Sequence, residues 1–281
     1  MRFTVTAALL ATAVRTVYEF PGSWIENIAV RDNGNLLLTF LLPEPDLVEL
    51  CNPASHSPTP RLIHRFDPFP GLTGITETSP DVFAVIAGNA PDIDNPYYSL
   101  WEADLTCDDE PKITPLIKHF REGCLLNGMT TLSPASRHSD CNDAVVLISD
   151  SAGGVVLRVD LASKKVSTFL YDPHITQAPP PANASAVPFG VNGLRYRPQD
   201  GYLYFTSTDR RLLARVRADP DDKTAAGPID VLNAGGVAAD DFAVREEGEL
   251  PTSAQFGRTE RDRDTLYVVT RDAKVFAIGG F

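Results

Sequence analysis

Short apolar runs broken by Asp, Asn, Gly and Pro fill this chain, and no stretch repeats its apolar residues at the spacing of a long amphipathic helix. Runs of strand character fall at 35–40, 46–50 and 61–66; at 82–88, 99–105 and 113–120; at 144–150, 155–161 and 166–171; and at 202–208, 212–218 and 228–232. Each trio is preceded by one further β-rich run, opened by a polar residue in three units and more weakly marked at Gly71. The openings are Glu26-Asn27-Ile28-Ala29, Gly71-Leu72-Thr73-Gly74-Ile75, Asn127-Gly128-Met129 and Asn192-Gly193-Leu194. Four strands per unit, repeating at roughly fifty residues, predict the blades of a β-propeller.

A lone blade leaves both faces of its sheet uncovered, so blades pack radially around an axis. The pattern predicts an all-β, six-bladed propeller of four-stranded blades, forming one domain over 14–281. The last unit, from Ala254-Gln255-Phe256-Gly257 through 265–270 and 274–278, supplies three strands. Residues 17–20 are expected to supply its fourth, closing the ring by pairing both chain ends and leaving no open edge. The fifth unit is short. It opens at Asp241-Phe242-Ala243-Val244, but Glu249-Leu250-Pro251-Thr252 already leads into the last blade, roughly 35 residues too soon for a full repeat.

Charge narrows the partners. With 37 acidic and 25 basic side chains the net charge is −12, a field that repels phosphate backbones and anionic lipid, so neither nucleic acid nor a membrane is expected as partner. Arg2 and the apolar, small-residue run behind it, ending Ala11-Thr12-Ala13, predict a signal-peptide remnant over 1–13 and a secreted protein; a buried first strand is the competing reading. Asn183-Ala184-Ser185 is a glycosylation sequon at Asn183 in a Pro-rich stretch. The four cysteines lack CxxC spacing, which favours disulfides over zinc. Cys107 and Cys141 are expected on one rim and paired.

The repeat brings candidate chemistry to the axis. Innermost strands start near it, so Glu26, Asn127, Asn192 and Asp241 are expected to converge. Two carboxylates and two amide oxygens form a hard ligand set suited to one divalent cation, Ca²⁺ or Mg²⁺, with no organic cofactor. Turn capping is what such residues do singly.

These motifs resemble those of gluconolactonase and senescence-marker-type propellers. The resemblance implies Glu26, Asn192 and Asp241 as ligands, Asn127 as ligand or substrate contact, and Asp241 as catalytic base. Arg15-Thr16-Val17-Tyr18-Glu19-Phe20, Asp81-Val82-Phe83-Ala84-Val85-Ile86-Ala87-Gly88-Asn89 and Phe256-Gly257-Arg258-Thr259 are similar to a fungal branch of that superfamily. That branch includes hetero-Diels–Alderases joining tropolones to humulene-type sesquiterpenes.

The resemblance leaves two enzymatic readings, and a non-catalytic binding propeller as a third. A pericyclase acting on an apolar small-molecule substrate would gain its rate from holding two partners in attack geometry. Glu26, Asn192 and Asp241 would then supply the polar groups, and Trp24, Met129 and Phe256 the apolar wall, with blade packing the competing role for Met129 and Phe256. A lactone hydrolase would polarise a carbonyl on the cation and activate water through Asp241. Asp150 and Ser207, at the ends of second strands, face either the pocket or the turns. The five histidines form no metal-spacing motif, and a GxSxG elbow is missing.

Overall fold

A computed structural model of the chain describes residues 13–90, 92–136, 142–181, 186–236, 238–242 and 254–279. Within these residues the apolar runs become twenty strands. After β1 (Ala13–Glu19), the first blade is β2 (Trp24–Val30), β3 (Leu36–Leu42), β4 (Asp46–Cys51) and β5 (Thr59–Arg65). The second is β6 (Gly71–Ser79), β7 (Val82–Gly88), β8 (Tyr98–Asp104) and β9 (Lys112–Phe120). The third is β10 (Leu126–Ser133), β11 (Val145–Asp150), β12 (Val155–Asp160) and β13 (Lys165–Tyr171). The fourth is β14 (Val191–Arg197), β15 (Tyr202–Ser207), β16 (Leu212–Asp219) and β17 (Thr224–Ala234). Finally β18 (Ala254–Phe256), β19 (Thr265–Val269) and β20 (Lys274–Gly279) join β1 in the order β1-β20-β19-β18. The two chain ends therefore share a sheet, with Val14 opposite Ile278 and Glu19 opposite Lys274.

Burial falls from the axis outward. The second strand β3 is buried at six of its seven positions, whereas β5 is exposed or half-buried throughout. Each inner sheet is covered on both faces, so its sequence runs apolar without alternation. Four full seams result. Ile28 and Leu38 pack on Tyr267 and Val275 of the closing blade. Leu37 and Leu47 pack on Leu72 and Phe83. Ile86 and Leu100 meet Met129 and Ile148, and Val145 and Leu147 meet Leu194 and Phe205. One polar clamp spans the first two blades. Arg31, 1% exposed, donates to Glu49 and Asp81 and to the Leu105 carbonyl, and pairs with Asp108.

The described residues form five four-stranded sheets, not the six a complete propeller of this repeat would have. The fifth unit in chain order is represented by 238–242, with Phe242 as a single bridge residue. Too little chain separates β17 from β18 for four strands of this length. Phe242, 2% exposed, packs on Tyr204 and Leu213 of the fourth blade, where a complete fifth blade would pack. The expected signal segment lies in the undescribed part except Ala13, which begins β1. Asn183 and Cys141 also lie outside the described residues. Among the described residues Cys51, Cys107 and Cys124 carry free thiols, and the expected partner of Cys107 lies outside them.

Candidate functional site: a ring of polar side chains on the propeller axis

The inner strands pack so closely that glycine is required at three places around the axis. A Cβ on Gly74 would lie 2.3 Å from the Asn127 carbonyl oxygen, one on Gly128 would lie 2.4 Å from that of Asn192, and one on Gly193 would lie 2.7 Å from that of Asp240. The same step recurs around the axis, so Asn127, Asn192 and Asp240 hold one position in successive units. Side-chain bonds extend the series. Thr206 Oγ1 donates to the Asp240 carbonyl at 2.7 Å, as Thr39 Oγ1 donates to that of Thr73 at 2.8 Å. Thr206 also accepts from Gly193 N, as Thr39 does from Asn27 N. The ring is therefore Glu26, Thr73, Asn127, Asn192 and Asp240.

Three of the four predicted axial residues, Glu26, Asn127 and Asn192, stand in this ring. Asp241 stands one residue further along. Its Oδ1 accepts from Phe242 N at 2.8 Å and its Oδ2 pairs with Arg195 at 2.5 Å. Asp240 takes the axial place. Asp241 belongs to a waist formed by Asn27, Gly74, Gly128 and Gly193, and the Asn27 amide also hydrogen-bonds to it.

The ring's acidity follows from burial and crowding. Glu26 is pushed well above the usual carboxylate range, first by lost hydration and then by the charge of Asp240; a hydrogen bond from Trp24 works against this. Asp240 is pushed up to about 6 by burial and by Asp241, with an Asn192 hydrogen bond opposing. Burial also raises Asp241, with Arg195 the chief opposing influence. Like charges this close favour either a proton or a cation among them.

The donor chemistry fits a hard cation. Asn192 Nδ2 donates to Thr208 Oγ1 at 3.1 Å, while its buried Oδ1 has no hydrogen-bond partner. Among the described residues, no three or more His, Cys, Asp or Glu side chains cluster as a metal site. Any cation would therefore rely on the amide oxygens as well as on Glu26 and Asp240.

The remaining predicted residues separate into three places. Trp24 flanks the ring, hydrogen-bonded to Glu26, with the Arg271 guanidinium 4.2 Å from its ring centre. Met129 and Phe256 line a chamber beyond the waist. Asp150 and Ser207 oppose Leu126 and Val191, the residues before the two ring asparagines. Asp150 accepts from the amides of Cys124, Leu125 and Gly153, which is the turn role. Ser207 Oγ is buried without a partner.

Sequence reasoning missed Asp240, Thr73, Arg195 and Arg271. Asp240-Asp241 offers two registers, and only the approach of Gly193 to the Asp240 carbonyl decides between them.

Closely packed meandering blades around a polar axis define a β-propeller, a fold that the chain shares with solved gluconolactonases. A gluconolactonase from Xanthomonas campestris superposes with TM-score 0.64 at 13% identity, covering 97% of this chain and 93% of that one. No protein-family model matches the chain. Among curated relatives, a Sarocladium schorii protein bearing the provisional name hetero-Diels-Alderase is 27% identical over 325 residues, covering 90% of this chain and 77% of its own length. A Phoma protein of the same provisional name is 26% identical over 313 residues, covering 90% and 85%. Both alignments are longer than this whole 281-residue chain. Roughly 60–70 aligned positions must therefore fall opposite gaps here, more than the length of one blade repeat.

Proposed function

We propose that the chain is a secreted hetero-Diels–Alderase that joins a tropolone-derived quinone methide to a humulene-type sesquiterpene at the axial ring. The observation that carries this reading is the ring itself. The chain retains Glu26, Asn127, Asn192 and Asp240 around one axis although the fifth blade is largely missing, and its curated relatives bear the hetero-Diels-Alderase name.

Forming the quinone methide from a hydroxymethyl tropolone removes one water: the side-chain hydroxyl leaves with a proton, and the ring hydroxyl loses one. Asp240, with its acidity near pH 6, is suited to deliver the first proton, since a general acid works best with a pKa near the working pH. The Asn127 and Asn192 amides orient the tropolone oxygens, and Trp24 offers a flat apolar face at the mouth. Cycloaddition then needs no further proton transfer, and positioning of the two partners supplies the rate. Glu26, Asp240, Asn127 and Asn192 would hold a divalent cation, which would polarise a bound carbonyl.

A bound cation would support a second reading, a lactone hydrolase, on one specific feature: the buried, unsatisfied Asn192 Oδ1 in the ring that also holds the Glu26 and Asp240 carboxyls. The test is product analysis of the purified protein with a hydroxymethyl tropolone and humulene, with and without chelator. Stereoselective adduct above the uncatalysed background, surviving the chelator, is the expected result. No excess adduct, with chelator-sensitive hydrolysis of a lactone panel, overturns it in favour of the hydrolase.

A further inference from the structure

Four inner strands slip register against their second strands where they meet the ring. The pairing breaks between Ile25 and Asn27, between Leu72 and Ile75, between Leu126 and Met129, and between Val191 and Leu194. Glu26 fills the first break, and Thr73, Asn127 and Asn192 open the other three. Irregularities of this kind re-aim a side chain and recur beside active sites. Thr73 is therefore presented to the axis by the same backbone device as the Glu26 carboxyl and the two amides, yet the proton transfers of the elimination make no use of it.

The backbone of Thr73 is pinned on both sides. Thr39 Oγ1 donates to its carbonyl at 2.8 Å, and a Cβ on Gly74 would lie 2.3 Å from the Asn127 carbonyl oxygen. The side chain is held but unemployed. Thr73 is 2% exposed, and its Oγ1 has no hydrogen-bond partner. Buried hydroxyls are nearly always bonded, because leaving one unbonded is costly. An unbonded one in a ring of polar side chains marks the place of a ligand atom.

Its chemistry narrows that atom. Among the described ring residues Thr73 alone carries a hydroxyl, a group that donates and accepts at a single oxygen. An ionised carboxylate only accepts, and an amide divides the two capacities between separate atoms. The Thr73 oxygen also sits directly on Cβ, whereas those of Asn, Asp and Glu stand further out. The ring is therefore recessed at Thr73, between Glu26 and Asn127, and that recess is where a short substituent of the substrate fits.

We infer that Thr73 is a specificity residue of the ring, whose hydroxyl binds the alcohol oxygen of the substrate's hydroxymethyl arm. The inference rests on the elimination proposed for the ring. In that step the arm's carbon–oxygen bond breaks, its oxygen leaves as water with the proton from Asp240, and the proton of the ring hydroxyl returns to Asp240. Thr73 donates a hydrogen bond to the departing oxygen and neither gains nor loses a proton. It stands three units from Asp240 in chain order, on the other side of the axis, so the oxygen departs between an acid and a hydroxyl.

The test is equilibrium dialysis of the full chain, in chelator, against a hydroxymethyl tropolone and the matching methyl tropolone, which lacks only the arm's hydroxyl. The wild type should bind the alcohol about fivefold more tightly, the worth of one hydrogen bond. Thr73→Val should abolish that preference by weakening the alcohol alone, and Thr73→Ser should restore it. Melting of the ligand-free proteins separates this role from a structural one. Thr73→Val should keep or raise the melting temperature, because it exchanges an unbonded buried hydroxyl for a methyl. No binding of either tropolone, equal binding of both by the wild type, or a preference that survives in Thr73→Val overturns the inference. So does a Thr73→Val protein that melts lower and binds both tropolones more weakly. Adduct formation with humulene is measured separately. Adduct without a Thr73-dependent preference removes this inference alone, and the preference without adduct removes the pericyclase while the alcohol contact stands.

Discussion

Asp241 and Asn27 occupy the same place in their strands: each accepts, through Oδ1, the amide N–H of the residue that follows it, at 2.8 and 2.9 Å. That equivalence places both one step past the ring and gives the adjacent acids different tasks. Asp240 faces the axis, and Asp241 anchors Arg195 and the waist. Asp240→Asn should lower adduct formation by 100-fold or more with little change in stability, since general acid–base groups contribute about 10²–10⁴-fold. Asp241→Asn should destabilise by about 3 kcal/mol, because it leaves Arg195 buried without its counter-charge. Steady-state turnover and urea denaturation of the two variants, side by side, separate the roles.

Stability should depend on pH with an unusual sign. A carboxyl whose folded pKa is raised binds its proton more tightly when folded, so its stabilisation is present at low pH and lost as pH rises through the folded value. For Asp240 the window runs from the ordinary value of 3.8 to about 6, and Glu26 shifts in the same direction. In chelator, the melting temperature should fall as pH rises from 4 to 7, and Asp240→Asn should flatten that slope. Millimolar Ca²⁺ should reverse it, because a cation in the ring replaces the proton. A melting temperature that rises over this window in chelator would contradict the assignment of Asp240 to the ring.

The strands and their grouping were legible because each blade is covered on both faces, so its inner strands spell continuous apolar runs between turn residues. The truncation was legible too, as chain too short to supply the missing strands. Within the ring, Glu26, Asn127 and Asn192 could be read from the repeat, but the Asp240-Asp241 doublet could not. Choosing between its two residues requires knowing that Gly193 lies against the Asp240 carbonyl, a contact between units that strand patterning does not encode. Arg195 was hidden for a related reason, as its partners Asp241 and Gln255 come from distant parts of the chain. The separation of Met129 and Phe256 from the ring follows from the waist, which is a property of backbone approach.

That waist predicts a sharp contrast between glycines. Gly128→Ala puts a methyl 2.4 Å from a backbone oxygen of the next strand. Neither backbone can move without opening the seam, so the cost should be about 2–4 kcal/mol, in the range of overpacked core sites. Gly279→Ala meets nothing within 4 Å and has ordinary backbone angles, so it should change stability by less than about 0.5 kcal/mol. Thermal denaturation of the pair tests whether the inner strands touch where the ring requires.

Phe242 should link the shortened blade to the chemistry. It is the one strand-bridging residue described in the fifth unit, and its ring is buried against Tyr204 and Leu213. Phe242→Ala removes that anchor, at a cost of about 3–5 kcal/mol by analogy with other buried aromatics. Asp240 lies two residues upstream and is held by its own carbonyl through Thr206 and Gly193. Loosening the anchor should therefore move its carboxyl out of the ring, lowering turnover and flattening the pH slope of stability as Asp240→Asn does. Phe242→Leu keeps most of the buried surface and should restore both. A Phe242→Ala protein that is destabilised yet keeps wild-type turnover and the wild-type pH slope would show that the ring is held by its backbone bonds alone.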